Sequence, residues 1–167
     1  LYTTGHITSA QEIPGVGFSV SGRARSSIQS ENFLIFQFDY SGNIIWHKEY
    51  ETTQWYQPFF KAKVINLNSG DFLFTGTYYT SDNYYLRLNN QGDALWGKSY
   101  RLDTICPISH TGDAVEISNG DIISIGQFNH FYLLKTSSIG KLKWRKYFAT
   151  LYLDNESLYK SLDNKIV

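Results

Sequence analysis

Trp46, Trp96 and Trp144 stand 50 and then 48 residues apart, and each is followed two residues later by a lysine, Lys48, Lys98 or Lys146. Four residues before each tryptophan is a glycine, Gly42, Gly92 or Gly140. Ahead of the glycine runs a stretch of alternating apolar residues, such as Leu34, Phe36, Phe38 or Tyr84, Leu86, Leu88. Three segments therefore align: Phe33–Tyr50, Tyr84–Tyr100 and Phe131–Phe148. A repeat of this pitch constrains the fold more than composition does. Each unit is one supersecondary element that buries its apolar faces only against its neighbours.

The remainder of the unit repeats as well. Ala62–Gly76 aligns with Asp113–Gly126, and Ile7–Gly22 is a degenerate copy, so that Gly22, Gly76 and Gly126 are equivalent. Each unit reads as four strands, A to D. Strand A is an alternating run such as Lys63–Leu67 or Ala114–Ile117, followed by a tight turn at Asn68-Ser69-Gly70-Asp71 or Ser118-Asn119-Gly120-Asp121. Asn-Gly and Gly-Asp steps accept the positive φ that short hairpins demand. Strand B covers Phe72–Thr75 or Ile122–Ile125; strand C has the period-2 alternation of a half-buried strand; strand D carries the tryptophan. The 13 Tyr, 11 Phe and 4 Trp suit pleated, half-buried surfaces.

The expectation is an all-β chain forming a β-propeller, with about three four-stranded blades plus the start of a fourth. It is one propeller region over 1–167, with blades at 7–51, 60–101 and 112–149 and the next blade opening at 157–167. Ser157–Val167 resembles strand A, its turn and the first residues of strand B. Propellers close with four or more blades, so the chain reads as a fragment of a larger ring. Pairing with a second copy and docking on a partner are the other two arrangements that would cover the open faces.

Charge excludes some functions. Lys plus Arg and Asp plus Glu number 15 each, whereas a nucleic-acid partner calls for a basic surface that neutralises phosphates. No apolar run approaches the roughly 18 residues of a membrane span. The one cysteine, Cys106, has neither a disulfide partner nor a metal-ligand pattern around it. His6, His47, His110 and His130 are scattered, and no nucleophile elbow or phosphate-binding glycine loop is present. Asp71, Asp93 and Asp121 occupy turn positions, where aspartate bonds its own backbone, and nothing matches a calcium loop. No catalytic residue, metal site or cofactor is assigned.

A ligand or partner is expected on the loops opposite the short turns. In a meander the A–B and C–D turns share one end, and the B–C and D–A loops share the other. The latter are longer and richer in side chains, and function concentrates in long loops on a rigid scaffold. The candidate binding residues are Arg23, Arg25, Tyr78, Tyr79, Asp82 and His130 in or beside the B–C loops, with Trp55 and Tyr56 in a D–A loop. Tyr and Trp next to polar groups suit protein hot spots or sugar stacking; filling of gaps between blades is the other use for them. Lys48, Lys98 and Lys146 share a strand face with the tryptophans and are expected to discourage edge pairing and to cover the indoles with their stems.

The pattern Gly-Asp-x-hydrophobic-hydrophobic-x-Gly, then an alternating strand, then Gly-x-hydrophobic-hydrophobic-Trp-x-Lys, resembles the tandem propeller repeats of secreted and cell-surface bacterial proteins, of the kind found in gliding and type IX-secreting bacteria. The resemblance covers Ile7–Val167. The Gly-x-x-x-Trp spacing at Gly42–Trp46, Gly92–Trp96 and Gly140–Trp144 is also similar to quinoprotein-type blades, in which the tryptophan docks blades together. Those blades carry Ala-x-Asp before the turn, where this chain has Phe38-Asp39, Leu88-Asn89 and Thr136-Ser137, so no quinone is expected.

The lack of catalytic motifs and the neutral, Tyr- and Asn-rich surface point to a non-enzymatic protein-interaction or scaffold module, and the resemblance, with the composition, implies an extracellular or cell-envelope protein. Its partner would be another protein or the remaining blades of the same one. A carbohydrate-binding propeller with a glycan ligand is the first alternative. Part of a quinoprotein-like or hydrolytic propeller enzyme, its active site in other blades, is the second.

Overall fold

The computed structural model describes residues 4–27, 30–50, 60–77, 82–101, 110–128 and 130–148. These form twelve β-strands: β1 (Thr4–Ile13), β2 (Gly17–Ser27), β3 (Ser30–Asp39), β4 (Ile44–Tyr50), β5 (Phe60–Asn66), β6 (Phe72–Thr77), β7 (Asp82–Leu88), β8 (Ala94–Arg101), β9 (His110–Glu116), β10 (Ile122–Phe128), β11 (His130–Thr136) and β12 (Leu142–Phe148). They make three four-stranded antiparallel meanders, β1–β4, β5–β8 and β9–β12. No helix occurs among the described residues, and no described segment is a helix long and apolar enough to cross a membrane. β1 begins at Thr4, ahead of the degenerate sequence match at Ile7, and a bulge between Ile7 and Ser9 absorbs the irregularity. The segment 157–167 lies outside the described residues.

The register is the same in every sheet. Gly22, Gly76 and Gly126 pair with Leu34, Tyr84 and Tyr132, and Trp46, Trp96 and Trp144 pair with Gln37, Arg87 and Lys135. Each C–D ladder shifts register at one equivalent place: Gln37/Phe38, Arg87/Leu88 and Lys135/Thr136. A bulge re-aims the side chains that follow it. Strict alternation would put Trp46 on the face of Ile44, which pairs with outward Phe38. The bulge moves Trp46 opposite Gln37, on the face turned to the second sheet.

The turns also repeat. In the C–D turns, Gly42, Gly92 and Gly140 have φ of 84°, 80° and 72°, the left-handed region that glycine enters without a Cβ penalty. Asp39 Oδ1 accepts from the backbone N–H of Ser41 and Asn43, and Asn89 Oδ1 from Gln91 and Asp93. Ser137 Oγ accepts from Lys141 N. A short polar residue at this position can pin the turn through its side chain, and this is where the chain departs from the Ala-x-Asp of quinoprotein blades.

The sheets pack face to face in chain order. β5 lies against β1 and β2, and β9 against β5 and β6. Between the first and second sheets, Phe33 and Ile35 meet Val64, Phe72, Phe74, Leu86 and Leu88. Between the second and third, Leu73 and Tyr85 meet Ala114, Ile122, Tyr132 and Leu134. The Phe33 and Phe74 rings are 3.7 Å apart at their centroids. Several polar groups pair across the sheets as burial favours, although the buried Thr75 Oγ1 has no hydrogen-bond partner. Val64 N donates to Ser9 Oγ (3.1 Å), Asn66 Nδ2 to the Glu12 carbonyl (2.7 Å), Asn83 Nδ2 to Tyr132 Oη (2.7 Å), and Tyr85 Oη pairs with Ser124 Oγ (2.7 Å).

Candidate functional site

Strand D of each of the first two sheets grips the C–D turn of the next. Trp46 Nε1 donates to the Asn90 carbonyl (3.1 Å), Lys48 Nζ to Asp93 Oδ1 (2.8 Å) and Tyr50 Oη to the Gly92 carbonyl. Trp96 Nε1 donates to the Ser138 carbonyl (3.0 Å) and Tyr100 Oη to the Gly140 carbonyl. A Cβ on Gly92 would lie 2.8 Å from both the Trp46 ring and Lys48 Cγ, and one on Gly140 would lie 2.9 Å from the Trp96 ring and 3.0 Å from Lys98 Cγ. Both glycines are thus required by their φ and by the side chains pressed against them. The lysines do lie with the tryptophans, as expected, but their role extends across sheets: Lys48 joins the second sheet through an ion pair.

Electrostatics follow from this contact. The Lys48 ammonium and the Asn89 amide hold the Asp93 carboxyl below its ordinary range. Burial, with Asp93 nearby, pushes the Tyr50 hydroxyl up to about 12, and burial raises Tyr100 to about 12. Tyr85, fully enclosed between sheets, is raised by burial as well.

A second polar cluster sits at the same turn end. Arg87 is 8% exposed. Its Nε donates to Asp71 Oδ2 (2.9 Å), one terminal nitrogen to the Ser138 carbonyl (2.9 Å), and the other to Ser69 Oγ (3.0 Å), with Glu116 Oε1 at 3.6 Å from that nitrogen. One guanidinium therefore ties the A–B turn of its own sheet to both turns' neighbourhood in the next. Lys135 occupies the equivalent place in the third sheet and pairs with Asp121 at 3.1 Å, joined by Lys143 at 2.7 Å. These hydrogen bonds, Lys143's foremost, bring the Asp121 carboxyl down to about 2. Nothing in the sequence marks Arg87 apart from its position two residues after a Tyr on strand C; the across-sheet network appears only once the sheets are stacked.

Of the residues expected on the loop end, Trp55, Tyr56, Tyr78 and Tyr79 lie outside the described residues. The backbone puts Arg25 near the end of β2, opposite Glu31, and Asp82 and His130 at the first positions of β7 and β11. All three stand at the B–C end of their sheets. Arg23 lies two residues further in, opposite Phe33, and borders an apolar cleft of about 250 Å³ on the outer face of the first sheet with Ile7, Val20, Leu34, Phe36 and Phe38. Among the described residues, no group of three or more His, Cys, Asp or Glu side chains is placed to hold a metal ion.

No protein-family model and no curated protein matches the chain. Among solved structures it is similar to a protein of unknown function from Bacteroides caccae, with a TM-score of 0.52 and 13% identity over 81% of this chain. The likeness is one of fold. The chain spans 45% of that structure's length.

Proposed function

We propose that these three sheets are successive blades of a β-propeller and that the chain acts as a non-enzymatic protein-interaction or scaffold module of an extracellular or cell-envelope protein, built from tandem repeats like those of secreted bacterial proteins. The single observation that carries the blade reading is the repeated grip of Trp46 on the Gly92 turn and of Trp96 on the Gly140 turn. The same contact joins each sheet to the next, with the A strands adjacent, and such nearest-neighbour repetition is how repeat architectures grow.

The scaffold reading is supported by where the ionisable groups go. Arg87 links Asp71 and Ser69 of the second sheet to Ser138 and Glu116 of the third, and Asp121, Lys135 and Lys143 are engaged with one another within the third sheet. The partner surface in this reading is the B–C and D–A end, with Arg23, Arg25, Trp55, Tyr56, Tyr78, Tyr79, Asp82 and His130.

The test is binding of immobilised chain to purified envelope proteins, beside a glycan array. Retention of a defined protein, lost in a Trp55→Ala/Tyr79→Ala double variant of unchanged melting temperature, is the expected result. Saturable glycan binding with no protein retained would contradict it, and full retention by the double variant would remove the loop end as the site.

A further inference from the structure

At their rim the first and second sheets are bridged by Lys48 and Asp93, 2.8 Å apart. The corresponding contact between the second and third sheets keeps the lysine and loses the carboxylate. Lys98 follows Trp96 as Lys48 follows Trp46, and its stem lies against the Gly140 turn: a Cβ on Gly140 would be 3.0 Å from Lys98 Cγ. The residue after Gly140 is Lys141, where the residue after Gly92 is Asp93. Lys98 and Lys141 are both exposed. The ion pairs among the described residues engage Lys48, Lys63, Arg87, Lys135 and Lys143, and neither Lys98 nor Lys141 enters one.

β12 adds a third cation to this groove. Tyr132 and Leu134 of β11 pack against the second sheet, and residues opposite one another in an antiparallel ladder share a face. Their partners on β12, Tyr147 and Arg145, therefore stand on the groove side. In the second sheet those places belong to Ser99 and Gly97, opposite Tyr84 and Leu86, so the groove between the first and second sheets has no counterpart of Arg145. The Arg145 guanidinium lies 5.5 Å from the centre of the Tyr147 ring, which is 42% exposed. Half-buried Trp96 stands on the opposite wall. The third sheet's acids are engaged elsewhere: Asp113 with Lys63, Glu116 with Arg87, and Asp121 with Lys135 and Lys143.

We infer that the rim groove between β8 and β12 takes an extended acidic segment of a partner protein, its carboxylates meeting Lys98, Lys141 and Arg145. A carboxylate from the partner supplies there the charge that Asp93 supplies in the first groove. The Arg145 fork suits a carboxylate, and Trp96 and Tyr147 are the residue types on which binding energy concentrates. β8 and β12 are the last strands of their sheets, so their outer edges offer main-chain groups to an extended chain. Lysines on such edges repel other cationic edges and admit an acidic one. The groove shares no residue with the loop end, and its occupancy goes beyond the scaffold reading.

Fluorescence anisotropy of a labelled peptide of alternating glutamate and threonine, titrated with the full chain, tests this. The expected result is saturable binding that weakens as salt rises. Lys141→Asp places opposite Lys98 the carboxylate that Asp93 places opposite Lys48. It weakens binding about tenfold or more without lowering the melting temperature. Arg145→Ala weakens it about two- to fivefold. Lys146→Asp, the same change of charge on the other face of β12 opposite Leu133, leaves the affinity within about twofold. Binding no tighter than that of a glutamine–threonine peptide overturns the inference. Equal weakening by Lys141→Asp and Lys146→Asp also overturns it, because the response would then be to net charge. Tighter binding of a sulfated oligosaccharide than of the peptide overturns the assignment to a protein segment.

Discussion

Trp46 of the first sheet lies against Gly92 of the second so closely that a methyl group on that glycine would come within 2.8 Å of the ring, while the indole N–H reaches the Asn90 carbonyl at 3.1 Å. The same relationship recurs between Trp96 and Gly140. Left-handed glycine and tryptophan are therefore one device, split between consecutive repeats.

The turn glycines are predicted to differ in what they tolerate. Gly70 has φ of 83° and open space around it, whereas Gly140 has φ of 72° and Trp96 within 2.9 Å of an added Cβ. Gly70→Ala incurs only the left-handed penalty, about 1–2 kcal/mol. Gly140→Ala adds overpacking of about 1–3 kcal/mol. Urea denaturation of both variants measures the difference, and equal costs would mean that Trp96 does not press on the turn.

Arg87 is predicted to be irreplaceable by lysine. Its planar fork serves Asp71, Ser69 and the Ser138 carbonyl together, a geometry that a single ammonium does not reproduce. Arg87→Met leaves Glu116, 6% exposed in its side chain, without its cation, a change that costs about 3–5 kcal/mol when a buried pair is broken. Arg87→Met/Glu116→Gln recovers part of that loss. Chemical denaturation of the single and double variants checks the order of stabilities.

The repeat, the strand count of each unit and the turn positions were legible in the sequence because they depend on local chemistry. Alternation, Asn-Gly steps and the recurrent Trp-x-Lys are read along the chain without knowledge of partners. The role of Lys48 was not legible as an inter-sheet ion pair, because its partner Asp93 is 45 residues away and reads locally as a turn residue. Arg87 carries no local mark for the same reason: its partners Ser69, Asp71 and Ser138 lie on turns distant in sequence. The bulge that aims Trp46 has no residue signature, since Ile44 and Ile45 both suit a strand. The loop-end residues were named from topology, and of these the structure describes the surroundings of Arg23 alone.

Acid is predicted to weaken the third sheet through Asp121. Its folded-state pKa, about 2, lies below the ordinary carboxylate value. The stability it contributes is therefore present above about pH 4, the unfolded value, and is lost as pH falls toward 2. Asp121→Asn flattens the acid arm of the stability profile between these limits. An unchanged profile would show that Lys135 and Lys143 do not favour the charged form in the folded chain.

Alkali is predicted to act between the sheets. Tyr50 and Tyr100 are raised to about 12 from an ordinary value of 10. Their contribution is complete below about pH 10 and is lost as pH rises through 12, because the unfolded chain ionises first. Tyr50→Phe/Tyr100→Phe removes that alkaline loss, at a cost at neutral pH of about 1 kcal/mol for each lost hydroxyl bond. Unfolding followed by near-ultraviolet absorbance across this range checks both.

The most direct test of the account is a double-mutant cycle on Trp46 and Gly92, measured by urea denaturation. If the indole rests on the glycine, Gly92→Ala is costly in the parent chain, and in the Trp46→Ala background its cost falls toward the left-handed penalty of about 1–2 kcal/mol, the flexible Lys48 stem being the remaining close contact. A coupling energy above about 1 kcal/mol is the predicted result. Strict additivity would contradict the claim that successive sheets are joined by this contact.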